Sequence, residues 1–137
     1  MEAPVITILN KLNRKDSVTG LDVWFKTTLN NVPYNVKTVQ SIVGTTVSVG
    51  QIYEVLIPFD DNYLSYEDWV KEVDKTKFYT INQGDLIFIG KDITDVITPN
   101  NVQQIRLNNE PYVCEVRSIM EVPKRAGVSY RLRVSGV

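Results

Sequence analysis

Apolar residues recur at every second position through most of this chain, which predicts strands. "PVITILNKL" (4–12) is a β-branched run of this kind, and "LDVWFKTTL" (21–29) reads as its antiparallel partner across a polar turn. The tip between them, "NRKDSVTG", ends in Gly20, where a positive φ costs little, and Asp16 and Ser17 can bond their own backbone to hold the turn. "VPYNVKTVQSI" (32–42) follows, with Val36, Val39 and Ile42 apolar. "TTVSVG" then leads through Gly50 into "QIYEVLIP" (51–58), where Ile52, Val55 and Ile57 line a core. Gly44 and Gly50 punctuate these strands and fit the bulges or tight corners of a small curled sheet. "DLIFIG" (85–90) is a further strand between glycine turns. "EPYVCEVRSIMEV" and "GVSYRLRVSGV" form a last hairpin around the exposed basic turn "PKRAG".

The two-residue period fails in one long stretch, "FDDNYLSYEDWVKEVDKTKFYTINQGD" (59–85). Inside it "SYEDWVKEV" predicts a short helix. Ser65 is the cap, Asp68 stands three residues on, and Trp69 and Val73 lie four apart on one face. Trp69 either tucks this insertion onto the body or anchors a partner. A second short helix is expected from Pro99, with Thr98 as its cap. Six to eight short strands with glycine-marked corners make the chain all-β. The expected form is a small β-barrel or sandwich, one domain over 1–137, with an inserted loop (59–85) that carries a short helix. Val36, Ile52, Val55, Ile57, Leu86, Phe88, Val113 and Ile119 are its expected inward residues.

Composition narrows the chemistry more than the fold. The 137 residues are 43% apolar and 23% charged, ordinary for one globular domain. Fifteen basic residues against sixteen acidic ones leave a net charge of -1, which supplies no global pull on nucleic acid. There is no histidine, so schemes that rest on imidazole are closed, and a zinc site would need a carboxylate majority. Cys114, the single cysteine, sits in the alternating run "YVCEVRSI" and reads as a small buried apolar residue. No phosphate-binding, dinucleotide-binding or metalloprotease motif is present. The adjacent acids Asp60 with Asp61 and Glu67 with Asp68 do not make an acid–base couple without environments that separate their pKa values. The chain is therefore expected to be no enzyme and to hold no cofactor or metal. The opening segment has no basic n-region and no apolar run approaches membrane length, so the expected site of synthesis is the cytoplasm, with no membrane contact.

The order of pieces resembles the head-closure, or stopper, proteins of the head-to-tail connector of tailed bacteriophages, together with related small neck and head-completion proteins. The resemblance rests on the opening strand "VITILNKL", the polar hairpin "RKDSVTGLDVW", the late strand "GDLIFIGK", and the closing pair "NNEPYVCEVRSI" and "VSYRLRVSG". It implies a structural virion protein of the phage neck, made in the bacterial host cytoplasm. Such a protein forms a homo-oligomeric ring of six or twelve copies around a DNA channel. A portal or adaptor protein would lie above it and a tail or tail-terminator protein below, with double-stranded DNA passing through without sequence-specific binding. A loop that blocks the channel until infection is also implied.

A ring subunit presents two different surfaces to its neighbours. The residues placed to serve as such surfaces are at exposed tips and in the insertion: Arg14, Lys15 and Asp16 in the first tip, Asp60, Asp61, Tyr63, Tyr66, Trp69, Lys75 and Lys77 in the insertion, and Lys124 and Arg125 in the last tip. Arg131 and Arg133 share one strand face, which a solvated edge explains as well as a partner does. The neighbouring alternative is a tail terminator or another tail or neck ring protein, including that of a phage-derived contractile device. An OB-type nucleic-acid-binding module is the remaining reading, suggested by Tyr53, Tyr63, Tyr66, Trp69, Phe78 and Tyr79 as base-stacking rings; it lacks a basic groove to go with them.

Overall fold

The computed structural model of the chain describes residues 4–15, 17–44, 46–75, 77–121 and 130–137, of which 13–15, 39–43, 46–50 and 130 are described as backbone alone. Seven strands form one antiparallel sheet: β1 (Val5–Lys15), β2 (Asp22–Asn30), β3 (Tyr34–Val43), β4 (Thr46–Pro58), β5 (Leu86–Ile89), β6 (Val113–Glu121) and β7 (Tyr130–Gly136). Their spatial order is β2-β1-β5-β6-β7-β4-β3. Two helices, α1 (Tyr66–Lys71) and α2 (Val102–Asn109), complete the described elements. The all-β class read from the alternation is correct.

The connectivity forces the sheet to curl. Strands β2 and β3 are consecutive in the chain yet occupy its two opposite edges. Six interstrand spacings of about 4.8 Å would separate those edges by roughly 29 Å in a flat sheet. The link from Asn30 to Tyr34 reaches at most about 15 Å. The edges must therefore bend toward each other, and the link is stitched to both sides: Val32 N–H donates to Pro4 O (3.1 Å) and Leu56 N–H donates to Pro33 O (3.0 Å). Val32 is fully buried, and Asn31, at φ 60°, makes the corner. β2 and β3 do not pair with each other, so the expected barrel is corrected to a strongly curled but unclosed sheet.

Curling creates an inner core. It joins Ile6 and Ile8 of β1, Ile87 and Ile89 of β5, Cys114 and Val116 of β6, Leu132 and Val134 of β7 and Tyr53, Val55 and Ile57 of β4. A second core lies on the outer face, where Leu9, Leu86, Phe88 and Val113 pack under Ile93, Val102 and Ile105 of the 91–109 segment. The segment is tied down by Thr7, whose hydroxyl donates to Lys91 O (2.8 Å) and accepts from Ile93 N–H (3.0 Å), and by Lys26 Nζ, which donates to Ile93 O (2.8 Å). β5 is consequently buried on both faces, as a strand in the middle of two layers must be.

Six of the eight expected inward positions therefore need revision. Leu86, Phe88 and Val113 are buried in the outer core, while Val55 and Ile57 face the inner one. Ile52 is of opposite parity to Val55 and only half-buried; Tyr53 takes the core place in that row. Val36 remains 46% exposed because β3 is an edge strand, and Ile119, opposite Val134 beyond the Val116–Ser118 bulge, remains 37% exposed. Gly44 does turn the β3–β4 hairpin, at φ 62°, but Gly50 lies within an unbroken β4 opposite Val39. The second helix starts later than Pro99. Asn101 spends its amide on the preceding turn, accepting from Thr98 N–H (2.9 Å) and donating to Val96 O (2.7 Å), and the helix begins only after it.

Gly136 is required by close packing. A Cβ there would sit 2.7 Å from Glu115 O and 2.9 Å from Cys114 Sγ, so Gly136→Ala is expected to cost about 1–3 kcal/mol, measurable as a lower midpoint in urea.

Candidate functional site

The insertion folds as its local sequence dictates and then turns inward. The Ser65 side chain accepts from Asp68 N–H, Glu67 and Asp68 occupy the positive end of α1, and Lys71 closes its last turn. Trp69 is fully buried. Its ring meets Phe25 of β2 edge to face, with centroids 5.6 Å apart, and its Nε1–H donates to Phe78 O (3.3 Å). Tyr66 lies beside it at 6.0 Å, and Lys75 places its ammonium 5.7 Å from the ring while donating to Glu72 O (2.7 Å). Tyr66, Trp69 and Lys75 thus form one cluster.

The start of the insertion forms a second one. Asp60 accepts from Asn62 N–H (2.9 Å) through one carboxylate oxygen and from the Tyr79 hydroxyl (3.3 Å) through the other. Tyr63 and Tyr79 meet edge to face at 5.8 Å, and the Arg131 guanidinium lies 4.7 Å from the Tyr63 ring. Burial pushes the hydroxyl pKa of both tyrosines up, with the Asp60 carboxylate adding to the rise at Tyr79. Tyr79 and Ile81 belong to the inner core, with Tyr63 packed against it. The insertion therefore packs against β2 through Trp69 and closes over the inner core through Tyr63, Tyr79 and Ile81.

These contacts redistribute the interface residues read from the sequence. Trp69 is a core residue of its own chain, a correction to its place among surface anchors, and Asp60, Tyr63 and Lys75 are engaged within the chain. Tyr66 is half-buried, while Asp61 and Lys77 are exposed. Arg14 and Lys15 end β1, where only their backbone is described; Asp16, Lys124 and Arg125 lie outside the described residues. The arginines of β7 are paired, Arg133 with Glu54 (3.0 Å) and Arg131 with Glu121 (3.5 Å), and the Arg133 hydrogen bond holds the Glu54 carboxyl below its usual range.

Alternation did not reveal two neighbouring clefts on either side of Tyr53. Tyr53 donates its hydroxyl to Pro111 O (2.5 Å), and this bridge separates them. The larger, about 530 Å³, is lined by residues that include Thr38, Gln51, Arg106 and Glu110. The smaller, about 280 Å³, is lined by Tyr34, Val36, Gln51, Tyr53, Ile89, Pro111 and Tyr112 and holds no charged residue. Tyr34, Val36 and Tyr112 are exposed there. The signal in the sequence was the placing of Tyr34 and Val36 on an edge strand, which becomes visible only with the strand order.

Cys114 is buried in the inner core, and burial pushes its thiol up to about 12. A thiol of that kind is almost wholly protonated at neutral pH. Native protein is expected to leave a thiol-specific reagent at its background rate, with one thiol per chain reacting on unfolding; rapid labelling of native protein would contradict the packing. Among the described residues, no group of three or more Cys, Asp or Glu is arranged to hold a metal ion.

Fold and surface define an all-β protein whose framework is a curled antiparallel sheet. The chain belongs to a family of unknown function, DUF6751, whose profile matches residues 3–137. No curated protein and no solved structure matches it.

Proposed function

We propose that this protein is a structural subunit of a phage neck, a head-closure or head-to-tail connector protein that forms a ring around the DNA channel. The observation that carries the reading is the place of the quoted sequence pieces in the sheet. "VITILNKL" supplies most of β1, the "LDVW" end of the polar hairpin opens β2, "GDLIFIGK" supplies β5 beside β1, and the last pair supplies β6 and β7, so the stretches that resemble the family fall on the five neighbouring strands β2-β1-β5-β6-β7. A ring protein needs a rigid body and distinct docking edges rather than a reactive centre. The whole sheet, extended by β4, ends in two unlike edges, β2 and β3, each paired on one side only among the described residues.

Native mass spectrometry of the purified chain, alone and with candidate portal and tail-tube proteins, tests the proposal. The expected result is a monomer or weak oligomer alone and a closed ring of six or twelve copies on the portal. A ring formed only with tail protein would move the assignment to a tail terminator, and no assembly with either would overturn it.

A further inference from the structure

The β3–β4 hairpin runs beyond the body of the protein. β4 pairs with β7 only from Tyr53 to Pro58, whereas its residues Thr46–Ile52 pair with β3 alone. Among the described residues β3 has no other strand partner. Seven residues at about 3.3 Å each carry this ribbon roughly 20 Å past the point where β7 ends. No charged residue stands between Lys37 and Glu54, in a chain that is 23% charged. The stretch is instead rich in valine, threonine, serine and isoleucine. A two-stranded ribbon is marginal by itself in water, and an uncharged edge is a ready template for another chain.

The ribbon's root bears the matching surface. The 280 Å³ cleft holds no charged side chain and exposes Tyr34, Val36 and Tyr112. A ribbon cannot fill the cleft at its own root, because Val36 and Gln51 form the rim and both strands run on from there. A second copy brings an identical ribbon that can. Neither the ribbon's sequence nor the lining of the cleft carries a charged residue, and the Lys91 ammonium lies 5.1 Å from the Tyr112 ring. Little ionic hydration is therefore lost on contact, and an apolar cleft with a few polar groups is what a β-branched segment fills. Because the ribbon and the cleft are different surfaces, the contact is heterologous and propagates around a rotation axis.

We infer that the β3–β4 ribbon of one copy docks in the cleft formed by Tyr34, Val36, Tyr53 and Tyr112 of the next copy. The inference deepens the ring proposal and rests on it for the closure of the contact.

Cysteine cross-linking with a short bis-maleimide tests it, on the chain alone at its highest soluble concentration and on the chain with its portal protein. Ser48→Cys marks the ribbon and Tyr112→Cys the cleft. Each single variant is expected to stay uncross-linked, an equimolar mixture to give a dimer, and the double variant to give a ladder that extends past the dimer. Adding Val36→Lys, at a position already exposed, should reduce cross-linking at least tenfold while leaving the thermal midpoint in place. A dimer from Ser48→Cys alone, a double-variant product that stops at the dimer, or no product under either condition would overturn the inference. If native mass shows rings while the mixture gives no cross-link, the contact is wrong and the ring proposal stands. If the mixture cross-links and no ring forms with either neighbour protein, the contact stands as self-association and the ring proposal falls.

Discussion

Trp69→Ala is expected to lower the stability of the protein by about 3–5 kcal/mol, a large share of the 5–15 kcal/mol typical of a domain. Trp69 is fully buried, so its loss leaves a cavity bounded by Phe25, Tyr66 and the stem of Lys75. It also removes the Nε1–H bond to Phe78 O, which ties the helix to the returning segment of the insertion. The same reasoning changes the expectation for a wider deletion. From the sequence, residues 62–77 look dispensable to a barrel that closes by itself, and their replacement with a Gly-Ser linker should leave the fold intact. In the curled sheet they supply Trp69 over Phe25 and Tyr63 beside Tyr79, so the deletion uncovers one side of the inner core. Urea melts of both variants check this: a Trp69→Ala midpoint within error of the parent would show that the insertion is a loose flap.

Different parts of this structure were legible to different degrees, for physical reasons. The helix at Ser65 could be read because a cap is local: the Ser65 side chain and the Asp68 N–H are three residues apart, and no tertiary contact is needed to pair them. The strands could be read because burial on one face imposes a period of two. What alternation cannot say is what lies over each face. Val36 and Val55 have the same apolar character and strand-like surroundings, yet Val55 is enclosed and Val36 lines an open cleft, because one strand is internal and the other is an edge. The insertion of β5 between β1 and β6 brings together segments about 80 residues apart, and only that order reveals that the sheet must curl and enclose an inner core for the 59–85 segment to pack against. Trp69 was singled out for the right physical reason, a large ring in a polar loop, but the ring's partner is Phe25 on a strand that nothing in the local sequence connects to it.

Asp85→Ala is expected to cost about 3 kcal/mol, because one buried and two part-buried N–H donors lose their common acceptor. One Asp85 carboxylate oxygen accepts from Lys11 N–H (2.9 Å), and the other accepts from the Asn10 side-chain amide (2.9 Å) and Asn82 N–H (2.8 Å). Asn10 in turn donates to Thr80 O, so one carboxylate fastens β1 to both the return of the insertion and the turn that opens β5. Asp85 is 1% exposed, and burial pushes its carboxyl from 3.8 up to about 6 against the downward pull of those donors. The folded protein therefore holds a proton that the unfolded chain has released between those two values. The stabilisation from that proton is complete below about 3.8 and is lost as pH rises through about 6; at about 1.4 kcal/mol per pH unit it amounts to about 3 kcal/mol. Glu54, held low by Arg133, acts in the opposite direction and loses its contribution as the solution is acidified. Asp85→Asn separates the two. The asparagine keeps the shape and one acceptor oxygen but cannot titrate, so the variant retains the Glu54 dependence and lacks that of Asp85. Denaturant melts of parent and Asp85→Asn between pH 4 and pH 7 should show the parent losing roughly 2 kcal/mol relative to the variant as pH rises, most of the full effect. A difference that stays constant across this range would mean that the three donors, rather than burial, set the charge of Asp85, and that the carboxylate is ionised in the folded protein throughout.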